Sequence, residues 1–330
     1  MDFKLEETQL DLKNLAAEIL AKDEARLEEA GLLSVCVPEE AGGAGLGPVE
    51  MAVVLCEVGR RAAAVPALPV LAGTLALARL GSAEQQRRAG RPAVALREPG
   101  RALADPPLTS ARQGEDGGWL LHGRKTDVLL PGPELGPALV TADAGLFLVT
   151  SPDAPGTSVS SAFTATGEPA VTLVLDGAPA ERVAGPESVA DVRRCFTAAV
   201  AAQASGVLAG ALELTTGYIR TRRQFDRALA EFQAVTMQIA DVYIAGRALD
   251  VAMWSAAWRL GEGLPAEEDL AVAAFHVSEA FRALYTCQHL HGGLGLDVTY
   301  PLHRYFAQAK HLSHLLGGAD AQLDLIGALA

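Results

Sequence analysis

Short apolar runs cut apart by proline and glycine fill the chain from Arg91 to about Pro186, and long helical text lies on both sides of them. That interruption constrains the fold more than any other feature. The runs AVALREP, GGWLLHG, PALVTA, GLFLVT and AVTLVLDG come at the spacing of strands joined by turns, which predicts an antiparallel β domain. Before it, Leu5, Leu12, Leu15, Ile19 and Leu27 form an apolar stripe with charges between them, and Val37–Pro48 is a glycine-rich loop. Helical text resumes at Val49–Arg60 and Leu71–Leu80, and again from Ser188 to the last residue, with breaks at Gly261–Pro265 and His291–Pro301. The predicted fold class is α+β: an N-terminal helical domain over residues 1–90, a middle antiparallel β domain over 91–186, and a C-terminal helical bundle over 187–330.

Half of the residues are apolar but only 5% are aromatic, and alanine makes up much of the difference, so the helices are expected to pack closely. A formal net charge of -13 argues against a nucleic-acid partner, which needs clustered Lys and Arg, but leaves room for a phosphate-bearing small molecule. Cys36, Cys56, Cys195 and Cys287 stand far apart with no CxxC pair, as in a reduced, cytoplasmic protein. The acidic, amphipathic N-terminus has neither the basic leader nor the apolar core of a signal peptide. Two uncharged stretches, Ala62–Ala78 and Cys195–Leu212, fall short of the roughly 20 strongly apolar residues that a membrane span needs, and are read as buried helices.

The C-terminal text carries an ordered set of motifs. Arg222-Arg-Gln-Phe225-Asp-Arg-Ala-Leu229-Ala-Glu-Phe232-Gln233 is followed at helical spacing by Ile239-Ala240-Asp241. Later come His291-Gly292-Gly293-Leu-Gly295 and Tyr300-Pro301-Leu302-His-Arg304. Together with Gly31-Leu-Leu-Ser-Val-Cys-Val-Pro38-Glu39-Glu40 and the helical–β–helical order, these resemble the acyl-CoA dehydrogenase family over nearly the whole chain. The resemblance implies a C-terminal four-helix bundle, FAD as cofactor and an acyl-CoA thioester as substrate. It also implies a reaction in which a carboxylate takes the α-proton while a hydride leaves the β-carbon for the flavin. By the same resemblance Arg222 reaches the FAD pyrophosphate of a neighbouring subunit, where a guanidinium suits paired phosphate oxygens. Phe225, Gln233, Gly292 and Gly293 complete that end of the site, and His289 stands where the family usually has Gln. His291 is assigned to the Gly-Gly turn.

The family's other requirements are not met. Its Thr-Glu-Pro-Gly-Ala-Gly-Ser-Asp stretch, which lies against the flavin ring, reads here Arg97-Glu98-Pro99-Gly100-Arg101-Ala102-Leu103-Ala104-Asp105. Its Trp-Ile-Thr-Asn-Gly is matched by Asp127-Val128-Leu129-Leu130-Pro131-Gly132, so the small hydroxyl donors are gone. The catalytic Glu of the family occupies one of two positions, and here these hold Leu316 and Phe196. Neither takes a proton, and no residue of this chain is assigned as catalytic. Asp320 and Glu213 are the nearest carboxylates in sequence. Five of the seven histidines lie between His289 and His314, but their spacing does not make a zinc site and no metal is expected.

A chain that keeps the contacts to a neighbour's FAD and loses those to its own is similar to the short non-catalytic subunit of actinobacterial α2β2 steroid-type acyl-CoA dehydrogenases. That resemblance implies a heterotetramer with a homologous subunit carrying the catalytic Glu, acting on a steroid-side-chain CoA thioester. Two alternatives stay open. One is a homo-oligomeric dehydrogenase with an atypical base such as Asp320, and the other is a flavin-free scaffold or acyl-CoA binder of the same fold.

Overall fold

The structure, a computed structural model, describes residues 3–114 and 117–329. Helices come first: α1 (Glu7–Lys22), α2 (Pro48–Arg60), α3 (Ala67–Leu80) and α4 (Ala83–Ala89). Seven strands follow: β1 (Ala93–Ala95), β2 (Ser110–Gln113), β3 (Trp119–Leu129), β4 (Ala138–Ala142), β5 (Gly145–Val149), β6 (Thr157–Phe163) and β7 (Pro169–Ala184). The C-terminal part holds α5 (Ser188–Thr221), a hairpin of β8 (Arg223–Gln224) and β9 (Arg227–Ala228), then α6 (Gln233–Gly261), α7 (Glu267–His291), α8 (Leu302–Leu315) and α9 (Gly318–Leu329). The expected bundle of four helices is thus joined by a fifth, short one. The chain packs as two compact units, residues 27–51 with 65–199, and residues 1–26 with 52–64 and 200–330.

In the first of these units the sheet runs β1-β4-β5-β7-β3-β2, with β6 also on β7. All its pairings are antiparallel except β1 with β4, which run parallel. Leu121, Val128, Phe147, Val149 and Leu173 fill its core. The β3–β7 register shifts between Lys125 and Val128, where Asp127 has φ +52°. This bulge inserts the extra residue that turns both Lys125 and Val128 inward. Lys125 is fully buried and lies 2.7 Å from Glu98 Oε1.

In the other unit α2 and α5 meet backbone to backbone. A Cβ on Gly59 would come within 2.1 Å of the Gln203 carbonyl oxygen, one on Gly206 within 2.0 Å of that of Cys56, and one on Gly210 within 2.1 Å of that of Arg60. The close helix packing expected from the alanine and glycine content takes this concrete form. The carbonyls left over at the end of α2 are taken by α8. Tyr305 Oη donates to Arg60 O (2.8 Å) and Gln308 Nε2 to Ala63 O (3.1 Å). Helix α5 is apolar and long enough to pass for a membrane span by composition, but most of its residues are buried inside the fold. On α1 the buried face is Ala16 and Leu20, whereas Leu15, counted in the sequence stripe, is 42% exposed.

Candidate functional site

The helical text that begins at Ser188 runs on through the Arg222 motif. In the structure α5 stops at Thr221 and the motif turns through the β8–β9 hairpin, Arg223 opposite Ala228 and Gln224 opposite Arg227. The two turn residues, Phe225 and Asp226, have φ +50° and +62°. A two-residue turn with both centres left-handed matches the twist of paired strands, and it normally draws Asn and Gly. Here the strained backbone holds a phenylalanine outward, 87% exposed. Arg227 lies over the Phe232 ring at 4.1 Å. Arg222, exposed just before the hairpin, anchors it through its backbone: its N–H donates to Tyr218 O (2.8 Å) and its carbonyl accepts from Leu229 N–H (2.9 Å). Among the described residues no carboxylate lies within ion-pair distance of its guanidinium. Gln233, exposed, opens α6.

The Gly-Gly motif follows the end of α7. Gly292 has φ +59° and caps that helix, its N–H donating to His289 O. Gly292 and Gly293 are both exposed, and a Cβ at either would meet nothing in this chain. Their backbone is therefore bare toward the outside. His289 is exposed as well. His291, in contrast, is 2% exposed, and its ring stacks on Tyr218 of α5 with centroids 4.3 Å apart. This contact brings the Gly-Gly turn next to the helical turn that leads into Arg222. Among the described residues no side-chain hydrogen bond, ion pair or ring contact ties Gln233 or His289 to either. Exposed Leu296 and Val298 lie just beyond the glycines. The rim so formed sets an open cation near glycine backbone that no side chain shields, and a guanidinium of this kind suits a pyrophosphate.

The stretch Arg97–Asp105 is the opposite case. Arg97 Nε lies 3.4 Å from Asp127 Oδ2, and Arg97 O accepts from Thr126 N–H (3.0 Å). Arg101 pairs with Asp105 (3.3 Å), whose carboxylate also accepts from Ala102 N–H (3.0 Å). Arg193 donates to the carbonyls of Ala104 (2.9 Å) and Asp105. Beneath, Glu98 accepts from Leu108 N–H (2.6 Å), from both Thr109 N–H (2.9 Å) and Thr109 Oγ1 (2.6 Å), and from Lys125 Nζ. Burial by itself would raise the Glu98 carboxyl, but the bonds from Lys125 and Thr109 outweigh it and hold the group below its usual range. Burial pulls Lys125 down to about 8 against the pull of Glu98. These groups are spent on one another. The residues here do not fit a flavin ring, whose nitrogen and oxygen atoms need free donors.

The two positions of the family's base are closed. Leu316 is 1% exposed and Phe196 6%. The substitute carboxylates are not dry: Asp320 is exposed, and Glu213, its side chain 75% exposed, sits 3.7 Å from Arg60. A feature not read from the sequence is a cavity of about 530 Å³ between α2, α5 and α6, reached by Lys13 of α1. Asp250 is its polar hub, accepting from Trp254 Nε1 (3.0 Å), Arg247 (2.5 Å) and Ser205 (3.4 Å). Ser205 on α5 lies 45 positions from Asp250 on α6, with no motif to join them.

Comparison with known proteins agrees with this geometry. The acyl-CoA dehydrogenase C-terminal domain profile matches residues 196–330 and the N-terminal domain profile matches residues 9–95. The chain is 40% identical to Acyl-CoA dehydrogenase FadE28 of Mycobacterium tuberculosis, covering 99% of this chain and 98% of that one. Among solved structures, a variant of the Tcur3481-Tcur3483 steroid ACAD superposes with a TM-score of 0.89 at 38% identity, covering 98% and 97% of the two chains. The ChsE4-ChsE5 complex from Mycobacterium tuberculosis does so with a TM-score of 0.88 at 36% identity over 99% and 98%. With its helical–sheet–helical architecture and these matches over nearly its full length, the chain belongs to the acyl-CoA dehydrogenase family, whose members use FAD.

Proposed function

We propose that this chain is the non-catalytic half of a cytoplasmic, heteromeric acyl-CoA dehydrogenase that forms the α,β-double bond of a CoA thioester. The observation that carries this reading is the contrast between an open Arg222 rim and a saturated Arg97–Asp105 loop. Arg222 would hold the pyrophosphate of FAD, with Gly292 and Gly293 letting the backbone approach and Phe225, Gln233 and His289 bordering the nucleotide. When bound, FAD supplies the hydride acceptor. A homologous partner subunit would hold the flavin ring and bring the glutamate that takes the α-proton, because Leu316 and Phe196 cannot. Exposed apolar side chains support such a partner: Phe225, Leu296 and Val298 at the rim, and Met237, Ile244 and Val251 at seven-residue spacing along α6. The likeness to solved relatives named as a steroid ACAD and as a ChsE4-ChsE5 complex supports this reading, in which the assembly would be a heterotetramer and the substrate a steroid-side-chain thioester. The limits 1–90, 91–186 and 187–330 would mark its three domains.

Co-expression with a family member encoded beside it tests this directly. The expected product is a mixed complex with two FAD per four chains, while the chain purified alone is colourless and inactive. A yellow, active homo-oligomer would overturn the proposal in favour of an atypical base. In the mixed complex Arg222→Ala removes charge-assisted bonds worth about 1.5–3 kcal/mol, a loss of about 10- to 100-fold in FAD affinity.

A further inference from the structure

We infer that His291 is a positioning residue for the Arg222 rim, a neutral imidazole that locks the Gly292–Gly293 turn to the last turns of α5. The inference rests on the reading that this rim faces a nucleotide. His291 Nδ1 lies 2.8 Å from the carbonyl oxygen of Cys287, one turn back on α7. That oxygen only accepts, so Nδ1 carries the proton and donates, and Nε2 is left with a lone pair. Among the described residues Nε2 has no partner, although it is buried. The ring is clamped from two sides: Tyr218 stacks on it at 4.3 Å and 21°, and Tyr300 lies tilted at 5.3 Å. Tyr218 accepts the backbone N–H of Arg222, and Tyr300 leads into the turn that starts α8. One imidazole therefore joins the last turns of α5, the end of α7 and the approach to α8.

Packing alone does not account for a histidine at this place. A phenylalanine would keep both ring contacts and would strand no acceptor, so the orphaned Nε2 is a cost that a purely structural residue avoids. What phenylalanine lacks is the Nδ1–H bond that fixes the ring plane against Cys287. Burial also pulls His291 below the usual histidine range, against its bond to the Cys287 carbonyl, which keeps the ring in the neutral form this arrangement needs. The glycines would inherit their orientation from that plane. Gly292 follows His291 directly, in a backbone conformation that side-chain contacts of its own cannot hold.

Three variants of the co-expressed complex decide the matter, with melting temperature and FAD dissociation constant read together. His291→Phe keeps the ring and loses the donor. His291→Asn places an N–H where Nδ1 was, and His291→Gln offers a polar group only at the distance of Nε2. The expected result is that Phe and Gln weaken FAD about tenfold, the equivalent of one lost hydrogen bond, while Asn stays within about threefold of the parent. The melting temperature of the Phe variant is expected to hold or rise. FAD bound by His291→Phe as tightly as by the parent would overturn the inference, as would Asn behaving like Phe. If Phe prevents folding, Gln against Asn gives the same decision. Arg222→Ala separates the two levels: if it weakens FAD and His291→Phe does not, only the positioning role fails. If neither does, the nucleotide reading of the rim fails with it.

Discussion

The loop at Arg97–Asp105 and the hairpin at Arg222–Ala228 are both rich in arginine, and they have opposite fates. In the loop Arg97, Arg101 and the incoming Arg193 each meet an acceptor of the same chain. In the hairpin Arg222 commits only its backbone and leaves its guanidinium outside. The difference teaches that an arginine's meaning depends on whether its neighbours have already answered it. A saturated cation is structure, and an open one beside bare glycine backbone is available for recognition.

The contrast can be broken most severely from below the loop. Lys125→Met strands the buried Glu98 carboxylate and is expected to cost about 3–5 kcal/mol of stability by urea denaturation, whereas Lys125→Met with Glu98→Gln costs much less. A small effect of the single change would mean that the loop is not held by this pair. The acid side has a sign of its own. Because the folded Glu98 carboxyl is held below the ordinary 4.5, its contribution is full above that pH and lost as pH falls below it; Glu98→Gln removes this part of the acid limb. Next in size is Gly206→Ala, which drives a methyl into the Cys56 carbonyl and is expected to cost about 1–3 kcal/mol by thermal unfolding. Since Gly206 lies on α5 and Arg222 follows directly on its last residue, FAD retention in this variant shows how far the rim depends on a well-seated helix. The smallest effects sharpen the comparison from the other side. Asp320→Asn and Glu213→Gln are both solvent-exposed changes and should shift stability by less than about 0.5 kcal/mol. Turnover of the mixed complex should also stay unchanged, and a large loss would revive an atypical base.

Much of the fold was legible because it rests on local patterns. Helices α2, α3 and α7, the breaks at Gly261 and His291, and most strands follow from apolar periodicity and turn residues. Strand β6 escaped because it is almost wholly exposed and so has no buried face to leave a period-two trace. The hairpin at Phe225 escaped for a different reason: its left-handed turn is held by flanking contacts, not by the Asn-Gly signal that would announce it. The site was half legible. Motif spacing marked Arg222 and the glycines, but the link from Tyr218 on α5 to His291 on α7 joins residues of two different helices that no local pattern connects. The Glu98–Lys125 pair depended on a bulge that flips one side chain inward, which alternation read off the chain assigns no place.

The three glycines between α2 and α5 bear on motion. Where helices meet through side chains, rotamers give, and one cylinder can slide over the other by small repacking steps. Here carbonyl oxygens press on α-carbons, and there is nothing between them to rearrange. The two helices are expected to travel as one stiff strut. A displacement felt where the chain leaves α5 toward Arg222 would then reach the end of α2 undamped.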